Sequence, residues 1–510
     1  MQRFSPDQDS PYTIDECKIR GRADSVSIPE NEEELRSEIE RCSASGTQIT
    51  INAMRTGLCG GGVPDGGEVI SLERLDRILG MGTIDGKYFV RVQPCVTVRT
   101  LRDTMLMKHI DGLKDITPDA CAAYIKDTRK FFYPVDPTEM DSSIGGNIAA
   151  NSSGPRTFKY GPTRNWVISI KVIFSDGRMV RINRGEHFAK GKHFSVDVDG
   201  VHLEFDMPSY DFNTSVKNAG GLYSRNDMDL IDVFIGSEGI LGVICEADIL
   251  LAEWHPLISN IAFMPDDQSA LSLIKDIRHD PVVAPELLEY FDSGSIDLIR
   301  RVSDSDPTIL RPPEERCSAV FLDMSLDDSI RTRFDRLFEL IRKNGGDPSL
   351  SWAGHDQDDR GRMFEFRHSV PKSIFEYVAS LKEEMPALNK MGTDMSVPEE
   401  KSDEMMAFYK QTLDSFNLEY VIFGHLGDFH PHVEIILKDL EDLRKAREAY
   451  AILAQKAVDL GGSPSAEHGI GKLKRDYIRM MYGEQGIEEI RSLKGYFDPK
   501  MILNKGDMVE

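Results

Sequence analysis

The stretch from Pro134 to Arg164, PVDPTEMDSSIGGNIAANSSGPRTFKYGPTR, constrains the fold of this chain more than any other. Its prolines fix φ and remove hydrogen-bond donors, which favours rigid, shaped loops over a helix interior. Its glycines stand among small polar residues: Gly145, Gly146, Gly154 and Gly161. Bare backbone of this kind can approach a phosphate or a flat heteroaromatic ring closely. Surface turns without a ligand are the alternative interpretation.

The next segment, WVISIKVIFSDGRMVR from Trp166 to Arg181, consists of two β-type runs joined by an Asp-Gly turn. It predicts a hairpin, so that a rigid sheet carries the glycine-rich loop.

Three further blocks follow a fixed order: RTGLCGGGVPDGG (55–67), IGSEGILGVI (235–244), and GHLGDFHPH (424–432) with SAEHGIG (465–471). With the central stretch they resemble the vanillyl-alcohol oxidase/PCMH superfamily. The branch resembled contains D-lactate dehydrogenase, the glycolate oxidase flavin subunit and D-2-hydroxyglutarate dehydrogenase. The resemblance covers nearly the whole chain, and four ordered blocks are far more specific than one glycine motif.

The first block predicts a pyrophosphate loop, since a strand over 47–53 leads into consecutive glycines whose N–H groups can bind an anion. Relatives tend to have a Gly-Gly pair where this chain has Ala53 and Met54, so local geometry can differ there. FAD is expected to be noncovalent, because neither the first block nor the central stretch offers an obvious histidine or cysteine attachment, and Cys59 is the only nearby thiol. The resemblance implies this FAD-binding set: Arg55, Thr56, Gly57, Leu58, Cys59, Gly60, Gly61, Pro137, Thr138, Ile144, Gly145, Gly146, Asn147, Ala149, Asn151, Ser153, Gly154, Tyr160, Gly161, Glu238, Gly242, Val243, Ile244 and Asn504.

The composition is that of a globular protein of two or three domains, with 510 residues, 40% hydrophobic and 29% charged. A net charge of −24 argues against nucleic acid or an anionic membrane as a partner. Seven scattered cysteines without a C-x-x-C pair favour a reducing cytoplasm. The sequence shows neither a signal peptide nor an apolar run of about 18 residues that could span a bilayer.

The predicted fold class is α+β, with a PCMH-type FAD-binding domain of two subdomains and a ferredoxin-like cap. The expected boundaries are 1–255 for the FAD domain, divided into about 1–98 and 99–255, then 256–460 for the cap and 461–510 for a segment that returns to the FAD domain. The cap is predicted as an antiparallel sheet covered on one side by helices. Its predicted helices are Gln268–Arg278, Ser329–Lys343, Glu400–Phe416 and Asp439–Leu460.

A metal site is predicted from two histidines in GHLGDFHPH, His425 and His432, with Glu467 as a possible carboxylate ligand. Neutral imidazoles with a carboxylate hold Zn²⁺, Mn²⁺ or Fe²⁺ and leave positions open for a substrate. A lone histidine is more often a hydrogen-bonded core residue, but the family motif favours ligation here. His430 competes for the ligand role, and we assign it to the pocket wall.

Three further residues are expected to act on the substrate. His468 is the candidate general base for a hydroxyl proton, and relatives use the matching histidine in that way. Arg367 is expected to grip a carboxylate with two hydrogen bonds, and Lys390 is a second cationic candidate. The spacing around Lys390 and the presence of Pro371 depart from the hydroxyglutarate branch, which leaves the substrate open.

The sequence therefore predicts an FAD-dependent dehydrogenase that oxidises a D-2-hydroxy acid, such as D-lactate or glycolate, in a metal-containing pocket. Electrons would leave to an electron-transfer flavoprotein or a quinone-linked subunit, and a homodimer is possible. The alternatives are a noncatalytic flavin-carrying subunit of a larger complex, a flavin oxidase that uses O₂, and a metal-dependent hydrolase with structural glycine loops.

Overall fold

The computed structural model describes all residues except Gln8, Pro137, His355, Glu383, Pro386, Ala387 and Asn389. Pro137, one of the residues expected at FAD, therefore lies outside the described residues. The helices are α1 (Glu32–Ser45), α2 (Val98–Leu106), α3 (Ala120–Lys126), α4 (Ile144–Ala150), α5 (Thr157–Tyr160), α6 (Ile231–Phe234), α7 (Asp267–Arg278), α8 (Ser293–Ser305), α9 (Ile330–Lys343), α10 (Gln357–Lys382), α11 (Ser402–Ser415), α12 (Leu440–Asp459) and α13 (Arg475–Phe497).

The strands are β1 (Gln2–Phe4), β2 (Ser25–Ile28), β3 (Ile49–Asn52), β4 (Glu68–Ser71), β5 (Ile78–Ile84), β6 (Lys87–Val92), β7 (Lys114–Asp115), β8 (Lys130–Phe132), β9 (Val167–Ile173), β10 (Met179–Asn183), β11 (His193–Val198), β12 (Val201–Asp206), β13 (Val243–Leu250), β14 (Ala252–Trp254), β15 (Leu257–Met264), β16 (Leu287–Phe291), β17 (Ser318–Ser325), β18 (Trp352–Gly354), β19 (Met391–Gly392), β20 (Glu419–His425) and β21 (His430–Ile436). Short 3-10 turns include Leu426–Asp428 between β20 and β21.

Two large sheets build most of the N-terminal half, and two small sheets, β11-β12 and β14-β8, accompany them. The first is mixed, in the order β1-β2-β4-β3, and helix α1 packs on it through Leu35 and Ile39. Asn31 caps the start of that helix, since its side chain accepts the Glu34 N–H, and Gly46 caps the end with a φ of 69°. The second sheet has the order β10-β9-β13-β6-β5-β7, and β9 with β10 forms the hairpin predicted from the sequence.

The central glycine stretch contains a helix, which corrects the prediction of loops alone. Gly145 and Gly146 lie in the first turn of α4, whose N-cap Ser143 accepts the Gly146 N–H at 3.2 Å. A Cβ on Gly145 would come within 2.6 Å of the Pro94 Cβ, so this helix can pack closely only with glycine there. The described prolines of the stretch lie outside α4, and Asn151 ends it with a φ of 48°.

The cap is a seven-stranded sheet in the order β18-β15-β17-β16-β20-β21-β19, with every neighbouring pair antiparallel. Helices α7, α9, α11 and α12 cover one face, and these are the four helices predicted from the sequence. Helices α8 and α10 cover the other face, so the expectation of one-sided cover was wrong. Pro371 lies inside α10 and interrupts the usual sequence signal of a helix, although Phe366, Val370 and Ile374 still face the core.

The chain returns at its end to the first sheet. The Ile49 N–H donates to the Ile502 carbonyl at 2.7 Å, and the Asn504 N–H donates to the Ile49 carbonyl at 2.8 Å. Helix α13 packs on the N-terminal core through Ile490 and Phe497. This return, the two N-terminal sheets and the antiparallel cap confirm the predicted fold class. No helix within the described residues is long and apolar enough to cross a membrane.

Candidate active site

A cavity lined largely by glycine and small side chains lies between the glycine blocks and the C-terminal tail. We call it the glycine-lined cavity. Eleven of the residues predicted to bind FAD line it: Gly57, Cys59, Gly61, Gly145, Gly146, Ala149, Glu238, Gly242, Val243, Ile244 and Asn504. The lining also includes Gly62, Ala150, Gly239, Gly471 and Asp507, which are not in the FAD-binding set predicted from the sequence.

Other residues of the predicted FAD set do not line this cavity: Arg55, Thr56, Leu58, Gly60, Thr138, Ile144, Asn147, Asn151, Ser153, Gly154, Tyr160 and Gly161. Several have structural partners instead. The Arg55 Nη1 donates to the Ala53 carbonyl at 3.0 Å, and the Tyr160 hydroxyl donates to Glu286 in the cap at 2.6 Å. Ile144 is fully buried in the N-terminal core.

The chemistry of the glycine-lined cavity fits FAD. Small residues on α4 and on the 235–244 block leave space for a flat ring, and the Gly57–Gly62 backbone supplies N–H groups for a pyrophosphate. Two buried polar atoms of the cavity lining, Asn52 Oδ1 and Asp507 Oδ2, have no hydrogen-bond partner among the described residues. Such atoms are expected to bond to a ligand or ordered water.

Cys59 lines this cavity as a buried thiol. Its Sγ donates to the Gly469 carbonyl at 3.3 Å, and burial raises its pKa to about 12. A protonated, hydrogen-bonded thiol is a poor nucleophile, so the side chain is unsuited to a covalent flavin link.

Two carboxyl groups also face the glycine-lined cavity. Glu238 adopts a φ of 52° and accepts the Ile470 and Gly471 N–H groups, both at 2.6 Å; burial raises its pKa to about 7. Burial raises the pKa of Asp507 to about 8, although Lys472 Nζ donates to its Oδ1 at 2.9 Å. Both groups can therefore be uncharged near neutral pH.

A second group of polar residues lies beside this cavity, on strands β20 and β21 and on the loops next to them. We call it the histidine cluster, and its members are His425, His430, His432, Asp394, Glu467 and His468. Ligand atoms of His425, His432 and Glu467 all lie within 4.8 Å of one another, which brings together the three residues predicted to bind a metal. Strands β20 and β21 position the imidazoles, since His425 pairs with His430 and Phe423 with His432 across the hairpin.

Each imidazole of this trio is oriented by a second residue. The His425 Nδ1 donates to Glu289 Oε1 at 2.8 Å, and the His432 Nδ1 donates to the Thr393 carbonyl at 3.2 Å, which leaves both Nε2 atoms as acceptors. Burial, reinforced by neighbouring imidazoles, holds the pKa of His432 well below its usual range. Neutral imidazoles with oriented outer nitrogens are what a divalent metal requires, so the residues present fit such an ion.

Glu467 completes the trio as a carboxylate. Its Oε1 pairs with Lys217 Nζ, and its Oε2 lies 3.7 Å from the His425 Nε2. Burial opposes ionisation, but Lys217 and the histidines hold the pKa of Glu467 well below its usual range. Lys217 also donates to the Gly154 carbonyl at 3.0 Å, so the central glycine stretch is connected directly to the histidine cluster.

His468 belongs to both sites. It lines the glycine-lined cavity, and its ring lies parallel to that of His432 with centroids 6.0 Å apart. Its Nδ1 is 3.5 Å from Asp394 Oδ2, which leaves Nε2 available to a substrate. Burial lowers the pKa of His468 despite the opposing Asp394 carboxylate, so the imidazole is neutral at pH 7.

Asp394 organises this part of the cluster. It is fully buried and accepts the N–H groups of Glu467 and His468, both at 3.0 Å, and Lys474 Nζ at 2.6 Å. The His430 Nε2 lies 3.1 Å from its Oδ1. His430 is fully buried, and burial lowers its pKa to about 4; its assignment to the pocket wall stays a prediction.

The two cations expected to hold a substrate carboxylate have protein partners. Arg367 directs Nε and Nη2 at the carboxylate of Glu289, and its Nη1 lies 2.9 Å from the His368 Nε2. Lys390 Nζ lies 2.6 Å from Glu434 Oε1. The guanidinium fork predicted to grip a substrate therefore grips Glu289, the residue that orients His425.

Sequence reasoning missed four residues of this site: Lys217, Glu289, Asp394 and Glu434. Asp394 lies only four residues after Lys390, which the sequence analysis had named, but it was given no role there. Glu434 follows His432 by two residues and thus shares its strand face. Lys217 and Glu289 lie in unremarkable sequence and become visible only through the fold.

Two family profiles match the chain. The profile described as FAD binding domain matches residues 23–110 and 122–183, and that described as FAD linked oxidases, C-terminal domain, matches residues 259–508. Glycolate oxidase subunit GlcD of Bacillus subtilis is 26% identical over 95% of this chain and 88% of its own length. A probable mitochondrial D-lactate dehydrogenase of Danio rerio is 26% identical over 96% of this chain and 84% of its own. D-2-hydroxyglutarate dehydrogenase of Xanthomonas citri is 25% identical over 95% and 89%.

Solved structures show the same fold at low sequence identity. Alkyldihydroxyacetonephosphate synthase superposes with a TM-score of 0.63 at 14% identity, covering 96% of this chain and 78% of that protein. The 4-ethylphenol oxidase from Gulosibacter chungangensis superposes with a TM-score of 0.61 at 14% identity, covering 96% and 89%. These structures show the fold alone. The two profiles, which together match most of the chain, and the relatives that align over nearly all of it show that the chain is an FAD-linked oxidoreductase of the PCMH-type FAD oxidase family.

Proposed function

We propose that this protein is a dehydrogenase that oxidises a D-2-hydroxy acid to the 2-oxo acid, with FAD in the glycine-lined cavity and a divalent metal on His425, His432 and Glu467. The observation that carries the proposal is the position of His468. This residue lines the glycine-lined cavity, and its ring lies parallel to that of His432 in the histidine cluster. The names of the relatives support a hydroxy acid as substrate, and those relatives match over nearly the whole chain.

FAD, when bound, supplies the acceptor for hydride from the substrate carbon, and a divalent ion supplies Lewis-acid polarisation of the hydroxyl. The role of His468 is that of general base, because its neutral Nε2 is free to take the hydroxyl proton. Asp394, held ionised beside His468, stabilises the imidazolium that forms. Glu289 and Thr393 fix the tautomers of the two histidines that would hold the metal.

Arg367 and Lys390 remain the candidates for the substrate carboxylate, although each is paired in this structure. The Arg367 Nη1 contacts His368 rather than Glu289, and this contact uses only one of its two hydrogens. A substrate carboxylate can bond to the other hydrogen without displacing Glu289. The Lys390 side chain is 37% exposed, and its ammonium is shared with Glu434.

The complete set of base and candidate ligands argues against a noncatalytic subunit. Electrons would then pass to a separate acceptor, such as an electron-transfer flavoprotein or a quinone-linked subunit. The relative described as a subunit of glycolate oxidase supports such an arrangement.

The test is an anaerobic absorbance titration of the FAD-loaded protein with D- and L-2-hydroxy acids. We expect a D-acid to bleach the flavin band near ~450 nm and yield its 2-oxo acid, and the L-isomer to have little effect. A flavin band that no hydroxy acid bleaches would contradict the proposal. Repeating turnover in air, with and without an electron-accepting dye, separates a dehydrogenase from an oxidase.

A further inference from the structure

We propose that the ion pair between Lys390 and Glu434 selects the charge of the substrate, so that the pocket takes 2-hydroxy acids with one carboxylate and rejects those with a second. This inference rests on the proposed function and extends it to a substrate class. The starting observation is the 2.6 Å distance between Lys390 Nζ and Glu434 Oε1.

The strand register places Glu434 beside the candidate metal site. His432 and Glu434 are two residues apart in β21, so their side chains leave the same face of the cap sheet. Across the ladder, Glu434 faces Val421 on β20 and Gly392 on β19. The edge strand β19 thus brings Lys390, which precedes it, next to Glu434.

The Glu434 carboxylate lies over the backbone of Gly392, its partner on β19. A Cβ on Gly392 would lie 2.5 Å from Glu434 Oε1, so glycine is needed there for the carboxylate to occupy this position. Glu434 is only 3% exposed, and its Oε2 has no hydrogen-bond partner among the described residues. Lys390 is therefore the counter-charge of a buried carboxylate, and removing it would leave that charge uncompensated.

Lys390 also lies beside the candidate metal site. Its ammonium contacts Glu434, which leaves the same face of β21 as the candidate ligand His432. A second substrate carboxylate near this position would either meet Glu434 directly or draw Lys390 away from it. Both outcomes cost free energy, because like charges repel and a buried carboxylate loses its partner.

A neutral substrate side chain has neither penalty. Arg367, the other residue predicted to bind a substrate carboxylate, is likewise paired with a glutamate, Glu289. Of these two predicted anchors, neither offers an uncompensated positive charge to a distal carboxylate. Glycolate, D-lactate and longer neutral analogues are thus favoured over D-2-hydroxyglutarate.

The experiment compares the FAD-loaded, metal-restored wild type with Glu434→Gln, Lys390→Met and the double variant. Two quantities are measured: kcat/KM for D-lactate and for D-2-hydroxyglutarate, and Kd for pyruvate and 2-oxoglutarate from perturbation of the flavin absorbance. Glu404→Gln serves as control, because it removes a similar charge from an exposed pair with Lys456 on the other face of the cap.

We expect the wild type to favour the monocarboxylates about tenfold or more, and Glu434→Gln to shift the ratio towards dicarboxylates by a similar factor. Lys390→Met should shift the ratio further towards monocarboxylates. In the double variant, the shift towards dicarboxylates expected for Glu434→Gln should disappear. The control should keep the wild-type ratio. A Glu434→Gln ratio within about twofold of wild type, or a wild type that prefers dicarboxylates, would overturn the inference.

The two readouts separate this inference from the proposed function. If no hydroxy acid reduces the flavin, the proposed function fails, but the Kd ratio for the oxo acids still decides the charge selectivity. If Glu434→Gln does not fold, the opposite shift expected for Lys390→Met decides it alone.

Discussion

The glycine-lined cavity and the histidine cluster lie side by side and are built in opposite ways. The cavity consists mainly of backbone and small side chains, and the two carboxyl groups in its wall have raised pKa values. The histidine cluster consists of buried ionisable side chains, nearly all of them paired with another charged or polar group. The comparison indicates that the cavity binds by shape, whereas the cluster reacts through charges held in fixed positions.

If this contrast is correct, changes in the cluster should alter the reaction and leave cofactor content unchanged. Replacing His468 with Gln should give the largest effect, a fall in kcat of about 10²–10⁴-fold, because the general base is lost. Steady-state turnover with an electron-accepting dye measures it, alongside FAD per chain. His202→Gln, at an exposed histidine paired with Asp197, is the control. A kcat within about threefold of wild type would remove His468 from the mechanism.

The next effect concerns Glu289, which acts on the candidate metal site only through His425. Glu289→Gln keeps the shape of the side chain but weakens its hold on the His425 Nδ1 and leaves Arg367 without its counter-ion. We expect metal affinity to fall about 10–100-fold. Competition with a chelator measures this quantity, and Glu419→Gln at an exposed position of the same sheet is the control. Unchanged metal affinity would show that His425 does not need this carboxylate.

On the cavity side, FAD affinity should depend on pH through Asp507. Burial raises its pKa to about 8, so below that pH the acid is neutral, and above it the ionised group opposes the pyrophosphate. Binding then requires proton uptake, and affinity should fall by up to about tenfold per pH unit above the pKa. Fluorescence titration of the apoprotein with FAD measures the profile. Asp507→Asn should flatten it, and an unchanged slope in that variant would assign the dependence to another group.

The smallest effect is expected at Cys59. Because the buried thiol is protonated and donates to Gly469, Cys59→Ser should change FAD affinity by less than about threefold. Acid precipitation of the wild type should release all flavin into the supernatant. Flavin that stays with the wild-type pellet and leaves it in Cys59→Ser would contradict a noncovalent cofactor.

The sequence predicted best what depends on local pattern. The hairpin after the central stretch and the four amphipathic helices of the cap follow from residues close together in the chain. The eleven predicted residues that line the glycine-lined cavity were named because the glycine blocks resemble a known family. Helix α10 was missed because Pro371 interrupts its pattern, and helix α4 because its glycines are typical of loops.

The supporting residues of the histidine cluster could not be predicted in this way. Glu289 is 136 residues from His425, and Lys217 is 250 residues from Glu467. No local pattern marks such partners, since the cap sheet and the 217–223 loop bring them together only in the folded chain. The pairing of Arg367 with Glu289 shows the consequence, because the sequence revealed the cation but not the carboxylate that it holds.

The most direct test of the central claim is the rate of anaerobic flavin reduction by a D-2-hydroxy acid before and after metal removal. The FAD-loaded protein would be stripped with a chelator, dialysed and mixed with substrate, then restored with one equivalent of Zn²⁺ or Mn²⁺. We expect reduction to slow by about 100-fold or more without metal and to recover at one metal per chain, with FAD content constant throughout. Full-speed reduction by the metal-free protein would contradict the account of the histidine cluster.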